Sequence, residues 1–360
     1  MNSPGPSPLE QVASCRDVPD QPASAAPAFE AGAKPGETLD DRFLLKDIIN
    51  RGGMATIFKA EDLHDHRRIV AVKVPHVQYE SSPTWVGRFQ REEEIGTRLH
   101  HPYILQVLPV GAAKKRRPYI VSEYLNGCTL AHLLDRMKPL PEADALKIAS
   151  LVCEALQYLH EQGVIHRDLK PGNIMICRDK TIRLMDFGIS QFSESRRMTF
   201  AGFTNAMGTP DYMAPEQITG RRGDARTDVY SLGAVLYEML TGKRPFEGDD
   251  PFVIMNTRTT GDPVAPRQLN PQLSPQAEEI ILRAMRRDPD ERYQSAAAMK
   301  EDLDAPGDMV VTGLSRNLQT STLGKRALLM VRWIALWCLL PVAVQVILFL
   351  LLWYHYSHKR

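Results

Sequence analysis

The stretch from His166 to Gly188 limits what this chain can be more than any other part of it. It reads His166-Arg167-Asp168-Leu169-Lys170-Pro171-Gly172-Asn173, then the apolar Ile174-Met175-Ile176. A polar Cys177-Arg178-Asp179-Lys180 turn leads to Thr181-Ile182-Arg183-Leu184-Met185 and Asp186-Phe187-Gly188. Two short apolar runs around a polar turn predict a small hairpin. That hairpin would hold Asp168, Asn173 and Asp186 near one another. Two carboxylates and an amide carbonyl on one loop pair supply a base and hard oxygen ligands. Magnesium suits such a set, because it takes one or two carboxylates completed by substrate phosphates rather than an all-protein cage.

His166 to Asn173, with Asp186-Phe187-Gly188 beginning thirteen positions after the asparagine, resembles the catalytic and metal-binding loops of the eukaryotic-type (Hanks-type) serine/threonine protein kinases. The resemblance implies an α+β, bilobal fold, with a small β-rich lobe above a large helical lobe. It implies ATP as cofactor with Mg²⁺, or Mn²⁺, and protein substrates. In that family's chemistry the transferring group is loosely bonded, so positioning and charge neutralisation do most of the work. Carried onto this sequence, Asp168 orients the attacking hydroxyl and Lys170 neutralises the γ-phosphate. Asn173 and Asp186 hold the metal. The Asp-Leu-Lys-Pro order resembles serine/threonine rather than tyrosine kinases.

Upstream, Phe43-Leu44-Leu45 and Ile48-Ile49 lead into Asn50-Arg51-Gly52-Gly53-Met54-Ala55-Thr56-Ile57, which reads as strand, glycine turn, strand. Glycines let backbone amides approach phosphate oxygens. By resemblance, residues Ile49, Asn50, Arg51, Gly52, Gly53, Met54, Ala55, Thr56 and Ile57 cover the nucleotide. The chain departs from the family's loop with Asn50 and Ala55 where glycines are usual, and asparagine tolerates positive φ. Its Gly-Gly-Met variant resembles bacterial members.

Ile69-Val70-Ala71-Val72-Lys73-Val74 is a β-branched strand interrupted by one charge, either an edge lysine facing water or the family's phosphate-binding lysine. Arg88 to Ile95 has a helical pattern with Phe89, Ile95 and Leu99 on one side. The resemblance pairs Lys73 with Glu92, with Glu93 as the alternative and the remaining glutamates solvated. His101 to Leu105 is expected to re-enter the sheet, and Lys114-Lys115-Arg116-Arg117 to form a hairpin tip in solvent. Tyr119 to Leu125 resembles the hinge between lobes, where the backbone near Glu123 and Leu125 would read adenine. Ser122 falls at the gatekeeper position, where a small side chain leaves room behind the base.

In the second lobe, Leu146, Ala149, Val152, Cys153, Leu156 and Leu159 mark a helix over 143–160. Residues 189–207 are polar and resemble an activation segment, with Thr199 and Thr204 as candidate autophosphorylation sites read by Arg167. Gly208 to Glu216 resembles the segment's end, with Thr209 at the substrate pocket. Glu216 would pair with Arg292, and Asp228 would anchor the catalytic loop. Val229, Leu232, Val235, Leu236, Met239 and Leu240 predict a buried helix, and helical patterns at 274–287 and 295–303 finish a kinase domain spanning 41–303.

Residues 1–40 are rich in Pro, Ala, Ser and Gly and are expected to be disordered. A linker over 304–332 precedes Trp333–Tyr354, 22 residues without formal charge and flanked by aromatics. That length suits a C-terminal transmembrane helix in a lipid bilayer, with a short tail over 355–360. ATP chemistry places the kinase side in the cytoplasm, at a bacterial inner membrane. The five scattered cysteines lack a CxxC pair, and the net charge is +1. These argue against a disulfide or zinc framework and against bulk attraction to nucleic acid. Two other readings compete: a membrane-tethered pseudokinase, which the altered glycine loop favours, and a small-molecule kinase, which the complete activation segment disfavours. A homodimer is left open.

Overall fold

The computed structural model describes residues 32–111, 115–186, 210–248 and 250–318. Its first strands pair into one five-stranded antiparallel sheet, ordered β1 (Thr38–Leu39), β2 (Phe43–Arg51), β3 (Ala55–Asp62), β4 (Arg68–Pro75) and β5 (Ile120–Glu123). Period-two alternation sets the register. Phe43 and Leu45, Phe58 and Ala60, and Val70, Val72 and Val74 pack in one buried cluster with Tyr119 and Val121.

The 101–105 stretch does not join this sheet as expected. Residues 101–104 form a turn, and Tyr103 and Leu105 then bond Leu184 of the large-lobe sheet around Ile104; Val107 bridges Ser122 of β5. The basic run is also not a solvated tip. Lys115 pairs with Glu93 at 2.5 Å, and Arg117 pairs with Glu80; only Arg116, beside Asp41, is largely exposed among its described members.

Helix α1 (Val77–Glu80) precedes α2 (Pro83–Arg98), which begins five residues before the apolar pattern at Arg88. Ser82 caps it, accepting from the Trp85 amide at 3.4 Å, and Pro83 occupies the first position. The helix joins two cores. Phe89 packs with Val107 and Ile120, whereas Leu99, with Ile95 against it, belongs to the large-lobe core.

The large lobe carries a three-stranded sheet of β6 (Gly127–Thr129), β7 (Ile174–Cys177) and β8 (Ile182–Leu184). The expected hairpin is β7–β8, with Met175 opposite Arg183. At Gly127 a Cβ would overlap the Ile176 carbonyl, so the strand approach requires glycine. Helices α3 (Leu130–Arg136), α4 (Glu142–Glu161), α5 (Pro215–Ile218), α6 (Ala225–Thr241), α7 (Pro251–Thr260), α8 (Pro266–Leu269), α9 (Pro275–Ala284) and α10 (Ala296–Asp304) complete it. The predicted apolar positions of α4 are all buried. Every residue of α6 from Thr227 to Thr241 is buried, its apolar positions in the core and its polar ones, such as Asp228, held by hydrogen bonds. Asp224 caps its start and Gly242, at φ 72°, ends it.

Beyond α10 one buried carboxylate gathers the chain. Glu279 of α9 accepts the amides of Thr312 at 2.9 Å, Gly313 at 3.2 Å and Leu314 at 3.1 Å, and also the Thr312 hydroxyl. No helix among the described residues is long and apolar enough to cross a membrane. The expected span at 333–354 lies outside them, as do residues 1–31, Lys114, and residues 187–209 with Thr199, Thr204 and Thr209. The end of the segment expected to be disordered is ordered instead, with Thr38–Leu39 in β1 and Ala33 and Leu39 buried in the small-lobe core.

Candidate active site

Lys73 stands on a central strand, with Ile57 opposite on β3 and Ile120 on β5, which removes the edge-lysine alternative. Its Nζ donates to Glu92 Oε1 at 2.7 Å and to Asp186 Oδ1 at 3.0 Å. The three consecutive glutamates therefore divide by partner. Glu94 is exposed beside Arg98, but Glu93 is not simply solvated, because Lys115 holds it. Lys73 sits above its ordinary pKa; burial opposes this, yet the charges of Asp186 and Glu92 outweigh it. Asp186 lies below the usual carboxylate range because of Lys73, with burial opposing. The lysine and this aspartate are thus both charged at neutral pH.

The catalytic-loop backbone is fixed from beneath by α6. Asp228, wholly buried, accepts the His166 amide on Oδ2 and the Arg167 amide on Oδ1, both at 2.8 Å. His160 Nε2 lies 2.8 Å from the same Oδ2. Arg167 (φ 61°) and Asp186 (φ 51°) occupy the left-handed region that non-glycine residues rarely adopt. Such strain persists where surrounding bonds over-determine it. Lys170 Nζ donates to Asp168 Oδ2 at 2.8 Å, and Asn173 Nδ2 donates to the same oxygen at 3.1 Å and to the Asp168 carbonyl at 2.8 Å. The Met185 amide donates to the Asn173 carbonyl at 2.9 Å, tying this loop to Asp186.

The β2–β3 turn explains how Asn50 and Ala55 are accommodated. Asn50 does not use a positive φ; it lies in β2 opposite Ile57. Gly52 donates to the Ala55 carbonyl at 3.0 Å, and no residue from Asn50 to Ala55 is left-handed. A Cβ at Gly52 would press on the Ala55 carbonyl at 3.3 Å, whereas one at Gly53 would meet open space, so the shape of the turn does not itself demand glycine at the tip. His76, following β4, donates its amide to the Met54 carbonyl at 3.0 Å, and its Nε2 lies 3.1 Å from Thr56 Oγ1.

A cavity of about 570 Å³ opens between the lobes. Ile49, Asn50, Ile57, Lys73, Glu92, Glu123, Leu125, Asn173 and Asp186 line it, together with Ser122. The tip residues Arg51, Gly52, Gly53, Met54, Ala55 and Thr56 are not part of that wall. Asp168 and Lys170 join it through Asn173. Its apolar back and floor, including Ala71, Leu105, Val107, Met175 and Met185, carried no chemical signal in the sequence. Among the described residues no cluster of three or more His, Cys, Asp or Glu side chains could hold a metal. The carboxylate of Asp186 and the amide of Asn173 offer hard oxygens at the cavity wall, the donor set of a magnesium shared with phosphates.

A model of the protein kinase domain matches residues 43–303. The chain belongs to the protein kinase family. The kinase domain is 40% identical over 268 residues to the serine/threonine-protein kinase PknB of Mycolicibacterium smegmatis, covering 74% of this chain and 43% of the relative. It is 38% identical over 270 residues to the probable serine/threonine-protein kinase SCO3848 of Streptomyces coelicolor, covering 74% and 40%. The chain therefore spans less than half the length of these relatives. The crystal structure of the Mycobacterium tuberculosis PknI kinase domain shares the fold, with a TM-score of 0.59 at 24% identity over 76% of this chain and 98% of that one.

Within the kinase domain Arg292 and Glu216 form a fully buried, two-pronged ion pair, with both N–O distances 2.8 Å. The Thr227 hydroxyl also donates to Glu216 Oε1 at 2.8 Å. Burial pushes Glu216 up, but Arg292 more than offsets this and holds it below its ordinary value.

Proposed function

We propose that this chain is an ATP-dependent serine/threonine protein kinase, transferring the γ-phosphoryl of ATP to protein Ser or Thr hydroxyls at a membrane. One observation carries the reading: Lys73 bonds both Glu92 and Asp186 in the interlobe cavity, while Asn173 on the same wall bonds Asp168. ATP would lie with its adenine against the backbone near Glu123 and Leu125 and its phosphates toward Lys73. Mg²⁺ (or Mn²⁺) would be held by Asn173 and Asp186, neutralising phosphate charge. Asp168 accepts the substrate hydroxyl's proton, and Lys170 faces the transferring group. The rival pseudokinase rests on Asn50 and Ala55, and a turn without left-handed residues accommodates both.

Burial pushes Arg167 below its ordinary pKa, with Asp228 opposing and Arg222 adding to the fall. A phosphate on Thr199 or Thr204 would meet Arg167 as the family's activation segment does and order the segment. Trp333–Tyr354, 22 residues without formal charge, spans the membrane in this reading, with the preceding linker leading to it. Incubating the full chain, in membranes and after extraction, with [γ-³²P]ATP and Mg²⁺ tests the proposal. Phosphoserine or phosphothreonine forms in the membrane fraction, and mass spectrometry places phosphate in 189–207. No transfer under any divalent metal would overturn the enzymatic reading; an unmodified but active enzyme would remove the autophosphorylation.

Ser122 lines the cavity opposite Ala71 and beside Val107. Ser122→Met fills that space and weakens ATP-site inhibitors with bulky back-pocket substituents by about tenfold or more. Unchanged potency in a dose–response series would show that this register is mistaken.

A further inference from the structure

We infer that His76 is a positioning residue for the phosphate-covering turn, acting through Thr56 and Met54 rather than touching nucleotide. This rests on the kinase reading above. A glycine-rich turn is soft, and this one is closed by the end of the β2–β3 ladder, with Arg51 opposite Thr56, and by the Gly52-to-Ala55 bond. The family's loop has glycines where this chain has Asn50 and Ala55, so its shape here depends on what grips its flank. Beyond the β3–β4 ladder, where Thr56 faces Val74, that grip comes from His76. The His76 amide holds the Met54 carbonyl, and its Nε2 meets Thr56 Oγ1, with His76 and Thr56 only 4% and 1% exposed. Ala55 adds a ladder position opposite Pro75, immediately before His76. Residues 54 to 56 are thus bound to the end of β4, the strand that carries Lys73. The turn tip and the phosphate-binding amine share one rigid support, so the distance between them is set before nucleotide arrives. Preorganisation of this kind strengthens binding of the group it faces by sparing ordering entropy.

The signature of such a role is selective. Loosening the turn weakens whatever contacts the phosphates and leaves the adenine side untouched. Full-length parent, His76→Leu, His76→Gln and Thr56→Val are compared for Mg-ATP and for adenosine binding by calorimetry, with KM and kcat for protein phosphorylation. His76→Leu and Thr56→Val weaken Mg-ATP about fivefold to tenfold, the worth of one buried hydrogen bond. Adenosine affinity and kcat at saturating ATP stay within about twofold. Glutamine places an amide nitrogen where Nε2 lies, so His76→Gln recovers most of the loss. Equal weakening of both ligands, or no weakening in either Leu or Val variant, overturns the assignment. Should His76→Leu fail to fold, Thr56→Val and His76→Gln decide alone. A parent that binds no Mg-ATP would instead refute the kinase reading itself.

Discussion

Asp168→Asn abolishes most phosphoryl transfer, lowering kcat by about 10²- to 10⁴-fold, the usual worth of a positioned general base. The isosteric amide keeps an oxygen for Lys170 and Asn173, which now meet Asp168 at 2.8 and 3.1 Å. Loop geometry should therefore survive, and the loss should fall on kcat rather than on ATP affinity. The backbone beneath is independently held by Asp228, so the substitution does not release it. Radiolabel transfer by parent and variant, measured beside Mg-ATP binding, separates the two effects. Equal transfer would mean that the carboxylate of residue 168 is not the base.

Arg292→Ala costs about 3–5 kcal/mol of stability at neutral pH, because it strands the Glu216 carboxylate in a buried site. The arginine also donates to the Arg286, Arg287 and Arg226 carbonyls at 2.6, 3.0 and 3.0 Å, which tie the segment before Tyr293 to α6. The pH dependence has a definite sign. Glu216 is depressed in the folded state below its ordinary 4.5. Its contribution is therefore full above that value and disappears as pH falls through the folded pKa. The gap between parent and Arg292→Ala should be widest near neutrality and narrow as pH falls below the ordinary glutamate value. Urea unfolding at several pH values measures it; a loss under about 1 kcal/mol at pH 7 would remove the pair from the list of structural supports. Glu216→Gln combined with Arg292→Met should recover part of the deficit, since no unpaired charge remains.

The catalytic hairpin was legible because its signal is local: apolar runs flank a polar turn, and Asp168, Asn173 and Asp186 lie close to it along the chain. Lys73 stood out for a similar reason, as a charge inside a β-branched run. The resemblance chose Glu92 and left Glu93 as the alternative, since three adjacent glutamates share a pattern; their orientation about α2 is what separates them, and it brings Glu92 to Lys73. Tertiary partners explain the misses. Lys115 and Arg117 looked solvated because Glu93 and Glu80 are distant in sequence. His101 to Leu105 looked like a strand of the small-lobe sheet, but Tyr103 and Leu105 bond Leu184 of the other sheet instead, and only Gln106 and Leu108 beyond them bond β5. The cavity's apolar back, from Leu105, Val107 and Met185, assembles from segments whose hydrophobicity reads as ordinary core. His76 gave no signal at all, because its role depends on a turn about twenty residues earlier.

Glu279 gathers four donors from Thr312, Gly313 and Leu314 onto α9. Mechanically, this is a strain relief. A tug along the polypeptide past residue 318 loads that knot and the helix beneath it before it reaches Asp228 or the loop Asp228 supports. A pull on the chain beyond residue 314 therefore meets these four bonds before it reaches the loops around Lys73 and Asp168.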